Sequence, residues 1–226
     1  MYEILLGLPL FSGVSHERLS QVVGMTKFHF LKYLPGETIV NAGDPCTHIK
    51  FIISGEARFT VSNNDGRFLV SQTLSAPEVI APECLFGTVT QYPCSGVAIT
   101  PTGILQITKA DYLKILNLDQ IFLFNYLNVL SMNAQKATQG ILAVTSGNLA
   151  DRIAFWIVAL TQRRGTDITL SCRQRDLYSL FGVQRTSLIS TLESLRDRNI
   201  LTFTQNEIRI NSREALIEIL HNARDI

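Results

Sequence analysis

No stretch of the 226-residue sequence approaches the roughly 18 consecutive apolar residues that a membrane-spanning helix needs, so we expect no membrane partner. The opening residues, MYEILLGLPLF, lack the basic segment of a secretory signal peptide, and we therefore expect a cytoplasmic protein. Cysteine is scarce: Cys46, Cys84, Cys94 and Cys172 form no CxxC pair. This argues against a zinc ribbon or a disulfide framework and favours buried, reduced thiols.

Catalytic motifs are also missing. The four histidines (His16, His29, His48 and His221) form no HxH pair, and the sequence contains no G-x-S-x-G, P-loop or HExxH motif. Metal catalysis in a β-barrel would need converging histidines and carboxylates. The sequence therefore predicts neither an enzyme nor a metal site, and it identifies no cofactor.

The composition, with 46% hydrophobic and 17% charged residues, favours a packed core over disorder. The net charge of +1 is unremarkable, but its distribution is uneven. Between Arg163 and Arg213 the sequence contains nine basic and five acidic residues, and every basic residue after Lys136 is arginine. Arginine suits planar recognition of phosphate and guanine, so the C-terminal part is a candidate DNA-binding region. A solvated face of a soluble domain would have a similar composition.

The most informative stretch is SCRQRDLYSLFGVQRTSLISTLESLRDRNIL, which predicts two short helices around a glycine turn. Ser171 is expected to cap the first helix, with Gln174 as its capping-box partner. Leu177 and Leu180 are expected to form the buried stripe of that helix. Gly182 then breaks it, as a tight turn between helices requires. The stretch therefore predicts a helix-turn-helix.

The second helix begins at about Gln184 and directs Leu188, Leu192 and Leu195 inward at helical spacing. Its N-terminal residues would meet base edges in the major groove, where an arginine can form two hydrogen bonds to guanine. The predicted DNA-binding residues are Arg173, Arg175, Gln184, Arg185, Thr186, Ser187, Ile189 and Ser190.

Two β-rich runs follow, Leu201–Thr204 and Glu207–Ile210, around Gln205-Asn206. They predict a hairpin, and a helix-turn-helix followed by a hairpin is a winged helix. Amphipathic helix pairs are common, so the helix-turn-helix pattern alone is weak evidence, which the hairpin strengthens.

The N-terminal half has a different pattern. Residues 1–24 are expected to be helical, with Ser15 as an N-cap, and short β-rich segments separated by turns follow from Phe28 to Thr108. This spacing predicts an all-β sandwich or barrel. The clearest expected strands are Thr38–Val40, Ile49–Ile53, Ala57–Val61, Phe68–Leu74 and Val97–Ile107.

A long helix is predicted from about Asp119 to Thr145, followed by a break at Ser146-Gly147-Asn148 and a further helix through Leu160. Its apolar residues alternate by four and three, as in the a/d seam of a coiled coil, and favour a symmetric dimer. Packing on the β-domain of the same chain would also use such a stripe. The expected dimer-interface residues are Leu123, Leu127, Leu130, Ala134, Ala137, Ile141 and Val144.

With these elements in place, the chain resembles the cyclic-AMP receptor protein/Fnr family of bacterial transcription regulators. The resemblance extends over nearly the whole length and is carried by several motifs in the right order. These are LPLFSGVSHERL, PGETIVNAGD, FIISGEARF, NLADRIAFWIVAL and RQRDLYSLFGVQRTSLISTLESLRDRNIL.

The resemblance implies an α+β fold: an N-terminal β-roll of the cyclic-nucleotide-binding jelly-roll type, a dimerisation helix and a C-terminal winged helix-turn-helix. The expected domains are a sensor at residues 1–118, the dimerisation helix at 119–146 and the DNA-binding domain at 147–226. The implied partners are a second copy of the chain, a near-palindromic duplex, an unknown small-molecule effector and, as a further candidate, RNA polymerase. Half-sites one helical turn apart are expected.

The DNA-reading motif departs from the family at three positions, one of which, Ser187 in place of threonine, keeps the hydroxyl. The family's R-E-T-x-x-R run corresponds here to the six residues from Arg185 to Ser190. The first arginine is retained, whereas Thr186 replaces the glutamate and Ser190 replaces the second arginine. Glutamate can accept a hydrogen bond from cytosine N4, whereas threonine can hydrogen-bond or touch a thymine methyl. We therefore expect a half-site different from the family's usual TGTGA-like one, with a guanine read by Arg185.

The sensor domain departs further. In the segment SAPEVIAPECLFGTVTQYPCSGVAI, Ala81-Pro82 stands where nucleotide-binding members have Gly-Glu, and no arginine occurs between Arg67 and Arg152. Burying a phosphate without a cation is costly, so we expect no useful affinity for cyclic AMP. The candidate effector-pocket residues are Ala81, Glu83, Cys84, Leu85, Tyr92, Cys94, Ala137 and Thr138.

Two alternatives for the sensor domain stay open. One is an effector-independent regulator whose degenerate pocket is filled by apolar side chains. The other, less supported, is a haem or redox sensor with Cys84, Cys94 or His48 as a ligand. An iron–sulfur cluster is disfavoured because the cysteines are not grouped near the N-terminus.

Overall fold

The computed structural model of the chain describes residues 2–63, 65–143 and 147–222. The chain divides into two compact units. The first contains Met1–Phe59 and Leu74–Asn133, and the second contains Thr60–Thr73 and Ala134–Ile226. Across the described residues, no helix combines the length and the apolar character needed to cross a membrane.

The first unit opens with two helices, α1 (Tyr2–Leu6) and α2 (His16–Met25), joined by a 3-10 turn at Pro9–Phe11. As predicted, Ser15 caps α2: its side chain accepts a hydrogen bond from the Arg18 N–H over 3.3 Å. The strands that follow are β1 (His29–Tyr33), β2 (Thr38–Val40), β3 (His48–Ser54), β4 (Glu56–Ser62), β5 (Leu69–Ser75), β6 (Glu78–Ile80), β7 (Cys94–Ala98) and β8 (Thr102–Thr108). A 3-10 turn at Pro82–Cys84 follows β6. The last two elements are the helices α3 (Lys109–Leu118) and α4 (Gln120–Ala143).

Antiparallel pairing organises these strands. One sheet has the order β1-β8-β3-β6, and β2 pairs with β7 in another. Strands β4 and β5 run across the division between the units, since residues 60–73 belong to the second. The run Val97–Ile107, expected as one segment, is split into β7 and β8. The β-rich prediction for this half is confirmed by the antiparallel strands.

Aromatic side chains fill the core of the first unit. Phe11 packs edge-to-face on Phe51 and on Phe122, with ring centroids 6.0 and 5.7 Å apart. Tyr112 and Tyr126 form a similar pair at 5.6 Å. All five rings are at most 4% exposed, and burial of this kind supplies most of the stabilising free energy of a β-domain. The core therefore ties the N-terminal helices and α4 to the sheets.

The second unit contains the elements of a winged helix. They are α5 (Leu149–Leu160), β9 (Thr166–Ser171), α6 (Gln174–Phe181), α7 (Arg185–Asp197), β10 (Leu201–Phe203), β11 (Glu207–Ile210) and α8 (Arg213–Asn222). Asn148 caps α5, with its side chain accepting from the Asp151 N–H over 2.9 Å. Strands β10, β11, β9 and β5 lie side by side in that order, and Ile208 of β11 pairs with Leu170 of β9. The predicted hairpin after α7 is present.

Candidate nucleic-acid interface

The turn between α6 and α7 is built around Gly182. This residue adopts a left-handed conformation (φ 62°, ψ 37°), in which a side chain would be strained. The N–H of Val183 donates to the carbonyl of Tyr178 over 3.0 Å and closes the end of α6. The chain then enters α7 with Gln184 as its N-cap. This geometry is that of a helix-turn-helix.

Helix α7 buries one face and exposes the other. Leu188, Leu192 and Leu195 are at most 1% exposed, so the predicted inward stripe is confirmed. The opposite face carries five predicted DNA-binding residues: Arg185, Thr186, Ser187 and Ser190, which are exposed, and Ile189, which is half-buried. Within the described residues, no hydrogen bond or ion pair engages the Arg185 side chain, so its guanidinium is free to meet a base edge.

The N-terminus of α7 adds two further polar features. The Gln184 side chain is exposed and makes no capping hydrogen bond, so its amide is available alongside Arg185. The first N–H groups of a helix have no partner within the helix and carry a partial positive charge. An anion or a base acceptor near this end would therefore be favoured.

The first helix begins differently from the prediction. Ser171 does not cap α6: it is the last residue of β9, where it pairs with Glu207 of β11. The N-cap is Arg173, whose side chain forms no capping hydrogen bond. Its Nε and Nη2 instead donate to the Asp176 carboxylate over 2.7 and 3.1 Å. The capping-box prediction is wrong because the strand pairing carries Ser171 away from the helix start.

The Arg173–Asp176 pair changes the pKa of the Asp176 carboxyl group. The hydrogen bond from Arg173 lowers the pKa of Asp176, which therefore stays ionised at neutral pH. Arg175, one residue inside α6, is exposed, and its charge acts in the same direction. Arg173 and Arg175 thus place two cations at the start of the first helix, where phosphate contacts of a helix-turn-helix are made.

The buried stripe of α6 also differs from the prediction. Leu177 is 2% exposed, as expected, but Leu180 is 37% exposed and Phe181 takes the inward position at 2%. A step of four residues, from 177 to 181, keeps a side chain on the same helical face as well as a step of three does. The larger ring of Phe181 fills the space against Trp156, with ring centroids 5.7 Å apart.

The wing contains an exposed basic residue that is not among the predicted DNA-binding residues. Arg209 of β11 is exposed and pairs across the hairpin with Thr202. Its ion pair with Glu207 is long, at 3.8 Å. The alternation of buried Ile208 and Ile210 with Arg209 was the available signal, because alternate residues of a half-buried strand face solvent. Arg209 is therefore a further candidate for phosphate contact.

Six of the candidate effector-pocket residues lie in the first unit, around the 3-10 turn at Pro82–Cys84. Ala81 has a left-handed backbone (φ 42°, ψ 54°), a conformation that glycine adopts more readily. Leu85 is fully buried. The Glu83 carboxylate accepts a hydrogen bond from Asn133 Nδ2 of α4 over 3.1 Å. The turn is thus fastened to α4 and presents no arginine.

Tyr92 and Cys94 point into the protein and not towards solvent. Tyr92 is 4% exposed, and its hydroxyl donates to the carbonyl of His48 over 3.2 Å. Cys94 is 7% exposed. The carbonyl of Pro82 accepts a hydrogen bond from the Tyr126 hydroxyl over 2.9 Å. The groups that would have to face a ligand phosphate are therefore already paired or buried.

The other two pocket candidates, Ala137 and Thr138, lie in the second unit. Both are exposed, and the Thr138 hydroxyl donates to the carbonyl of Ala134 one turn earlier in α4 over 3.0 Å. Threonine often makes this bond within a helix. Its polar group is consequently satisfied without a ligand.

All four cysteines are free thiols, and Cys84 is the half-buried one. Burial raises the pKa of Cys84 to about 11 and that of Cys94 to about 12. Such thiols are neutral at physiological pH and are poor nucleophiles and poor metal ligands. Among the described residues, no three histidine, cysteine, aspartate or glutamate side chains are placed to hold a metal ion.

The apolar seam of α4 is open to solvent in the single chain. Leu127 is 44% exposed and Ile141 is 73% exposed. Helix α4 instead buries Phe122 and Tyr126 against its own β-domain. Of the other expected interface residues, Leu123, Ala134 and Ala137 are exposed and Leu130 is half-buried, while Val144 lies outside the described residues. Leu130 packs against the core of its own β-domain, whereas Leu123, Leu127 and Ile141 remain exposed, so most of the stripe is left uncovered.

Two protein-family models match the chain. The cyclic nucleotide-binding domain matches residues 30–119, and the Crp-like helix-turn-helix domain matches residues 151–219. The second match contains both helices and the wing described above. No curated protein matches the sequence significantly.

Solved structures share the fold. The catabolite activator protein of Thermus thermophilus has a TM-score of 0.53 at 21% identity, over 95% of this chain and 99% of that one. A transcriptional regulator of Thermotoga maritima has a TM-score of 0.50 at 19% identity, over 57% of this chain and 98% of that one. CprK complexed with OCPA has a TM-score of 0.50 at 17% identity, over 90% and 93%. Identities this low establish a common architecture and do not transfer a ligand or a DNA sequence.

Proposed function

Because this chain belongs to the Crp/Fnr family of transcription regulators, we propose that it is a homodimeric protein that binds a specific duplex DNA site. The family comprises regulators and not enzymes. We assign sensing to residues 1–118, dimerisation to 119–146 and DNA binding to 147–226. A protein that regulates a bacterial chromosome acts in the cytoplasm.

The observation that carries this proposal is the free, exposed face at the start of α7. Arg185 is unengaged within the described residues, while three leucines hold the opposite face of the helix in the core. An arginine so placed can donate two parallel hydrogen bonds to O6 and N7 of guanine. Thr186 and Ser190 next to it are short, so they suit a thymine methyl or a hydroxyl-to-base contact. We therefore propose that Arg185 reads a guanine in each half-site.

Dimerisation is supported by the exposed seam of α4. Exposed leucines and an isoleucine repeated by four and three residues are what a two-helix coiled coil buries. A symmetric dimer presents two α7 helices related by a two-fold axis. Such a dimer reads a near-palindrome with half-sites one helical turn, roughly 34 Å, apart.

We propose that the sensor domain does not bind cyclic AMP. The sequence between Arg67 and Arg152 contains no arginine for the phosphate, and the Tyr92 hydroxyl and the Pro82 carbonyl already have partners within the protein. The buried Leu85 and Cys94 favour the second candidate, a regulator that binds DNA without an effector. The raised pKa values of Cys84 and Cys94 weigh against a haem or redox sensor that uses either of these residues, because such a sensor needs a thiolate.

Selection of random duplex DNA on the purified apoprotein, at near-physiological salt, tests this function. We expect a two-fold symmetric motif with a guanine in each half. Failure of a folded dimer to enrich any motif, both alone and with cell extract added, would overturn it. An effector-dependent protein would enrich a motif only with extract. In-vitro transcription from that site would then show whether RNA polymerase is recruited or blocked.

A further inference from the structure

The tip of the β4–β5 hairpin lies in the same compact unit as the helix-turn-helix. Its sequence nonetheless falls inside the match to the cyclic nucleotide-binding domain. Val70 of β5 pairs with Leu170 of β9, so β5 adds a strand to the wing sheet. The hairpin is therefore attached to the DNA-reading module by backbone hydrogen bonds.

An aromatic row reinforces this attachment. Phe68 packs edge-to-face on Trp156 of α5, and Trp156 packs in the same way on Phe181 of α6, with centroid distances of 5.8 and 5.7 Å. Phe181 is buried and the other two rings are half-buried, and each edge-to-face pair adds a modest stabilisation beyond area burial. The residue next to Phe68, Arg67, is consequently held at a defined distance from α6.

Two hydrogen bonds join Asn63 and Phe68, on either side of the hairpin turn. The Asn63 side chain accepts from the Phe68 N–H over 3.0 Å, and the Asn63 N–H donates to the Phe68 carbonyl over 3.1 Å. Arg67 is 59% exposed, and its Nε contacts the Asp65 carboxylate at 2.9 Å. That contact uses one of the five guanidinium donors and leaves the two terminal nitrogens available.

Arg67 shares an open groove of about 550 Å³ with Arg173 and Arg175. The only acidic side chain among the lining residues is Asp176, which is engaged by Arg173 through two hydrogen bonds. With the Asp65 carboxylate that pairs with Arg67 included, three guanidinium groups have two carboxylates beside them, which leaves one excess positive charge. Neighbouring like charges repel, and a phosphate accepting from more than one of them would remove that repulsion.

We propose that Arg67 contacts a backbone phosphate of the bound duplex, beside the phosphates held by Arg173 and Arg175. The inference rests on the proposed function, because a helix-turn-helix seated in the major groove brings the DNA backbone to the start of its first helix. It extends the DNA interface to a β-hairpin outside the helix-turn-helix. The contact contributes salt-dependent affinity and no sequence preference.

Fluorescence anisotropy of the full-length protein on its selected duplex, with flanking base pairs, tests the contact over a range of salt concentrations. The variants are R67Q, R67K, R175Q as a positive comparison and K27Q as an exposed control in the first unit. We expect R67Q to reduce the slope of log K against log salt by about 0.9 for each phosphate that the variant no longer neutralises, or about 1.8 for a dimer. R67K should retain most of the slope, and K27Q all of it.

A thermal unfolding curve for each variant confirms that the fold is retained. An unchanged slope in R67Q together with a reduced slope in R175Q would overturn the Arg67 contact and leave the proposed function standing. A wild-type protein that binds no duplex under any condition would overturn both.

Replacing single phosphates by neutral methylphosphonates then locates the contact. We expect one phosphate per half-site whose replacement weakens wild-type binding several-fold and does not weaken R67Q binding further. That non-additivity is the signature of a direct interaction. Equal weakening of both proteins at every phosphate would overturn the proposal.

Discussion

Arg152 of α5 holds the end of α6 through Phe181 in two ways. Its Nη2 donates to the Phe181 carbonyl, and its guanidinium lies over the Phe181 ring, 5.5 Å from the centroid. That carbonyl is among the last of α6, and the last carbonyls of a helix receive no hydrogen bond from an N–H group within the helix. The helix preceding the DNA-reading module therefore fixes the position at which the chain turns towards α7.

Replacing Arg152 by glutamine should destabilise the second unit. Loss of a charge-assisted hydrogen bond and a cation–π contact should lower the free energy of unfolding by about 2 kcal/mol. Urea denaturation followed by the fluorescence of Trp156, the single tryptophan, measures this loss. R175Q is the control, because Arg175 is exposed. Equal midpoints for R152Q and R175Q would show that the contact contributes nothing.

Arg185→Ala should remove the preference for guanine. One bidentate arginine–guanine contact discriminates by about 1–3 kcal/mol, so binding to the preferred site should weaken roughly 5-fold to 150-fold, and less to a site lacking the guanine. Competition between duplexes that differ only at this base measures the change. E193Q, further along the same exposed face, should leave the preference intact. Undiminished binding of R185A to the preferred site would refute the assignment.

Prediction from the sequence was most accurate for elements whose periodic pattern is long and involves residues close together in the chain. The leucine stripe of α7, the hairpin after it and the extended α4 needed only helical or strand spacing. The start of α6 was predicted wrongly. Ser171 was assigned as the N-cap from the capping-box pattern, whereas the pairing of β9 with β11 determines where Ser171 lies. The prediction that Leu180 is buried was wrong because a three-residue and a four-residue step satisfy the same helical periodicity. Packing against Trp156 places Phe181 in the buried position instead.

The position of Arg67 beside Arg173 could not be predicted from the sequence. Arg67 is separated from Arg173 by more than a hundred residues, and only the pairing of β5 with β9 brings the two into one groove. Long-range strand pairing depends on the whole fold and leaves no local periodicity. By contrast, the departures in the sensor domain could be identified from the sequence, because a missing arginine is a property of the sequence itself.

Leu127→Glu should convert the dimer into a monomer. The exposed seam of α4 would then place two like charges opposite each other in a desolvated contact, which is strongly destabilising. Sedimentation equilibrium should show a monomer at concentrations where the wild type is dimeric, and DNA affinity should fall with it. M132E is the matched control, since Met132 is 53% exposed and lies off the seam. A dimer that tolerates L127E as well as M132E would contradict the proposed interface.

Cyclic AMP should give no measurable heat on titration into the dimer at micromolar concentrations. The segment that would face the phosphate contains no arginine, and desolvating the phosphate without such a partner costs more than the remaining contacts return. The same titration in the presence of the selected duplex controls for a DNA-dependent site. A saturable heat with a micromolar dissociation constant would refute the prediction and would imply a cation from elsewhere in the chain.

The raised thiol pKa values predict a distinctive pH dependence. Burial raises the pKa of Cys84 to about 11 and of Cys94 to about 12, from an ordinary value of 9.0. Below pH 9 the folded and unfolded chains both keep these protons, so stability is unaffected. As pH rises above 9 the unfolded chain releases protons that the folded chain retains, so the free energy of unfolding falls.

Alkylation by iodoacetamide, quantified by mass spectrometry, measures the same shift for the half-buried Cys84. Because the thiolate is the reactive form, modification of the folded protein should remain slow at pH 8 and rise towards pH 11. Protein unfolded in urea should react with a midpoint near 9. Folded and unfolded protein reacting equally fast at pH 8 would show that Cys84 is not shielded, and a thiolate-based sensor would then become the better hypothesis.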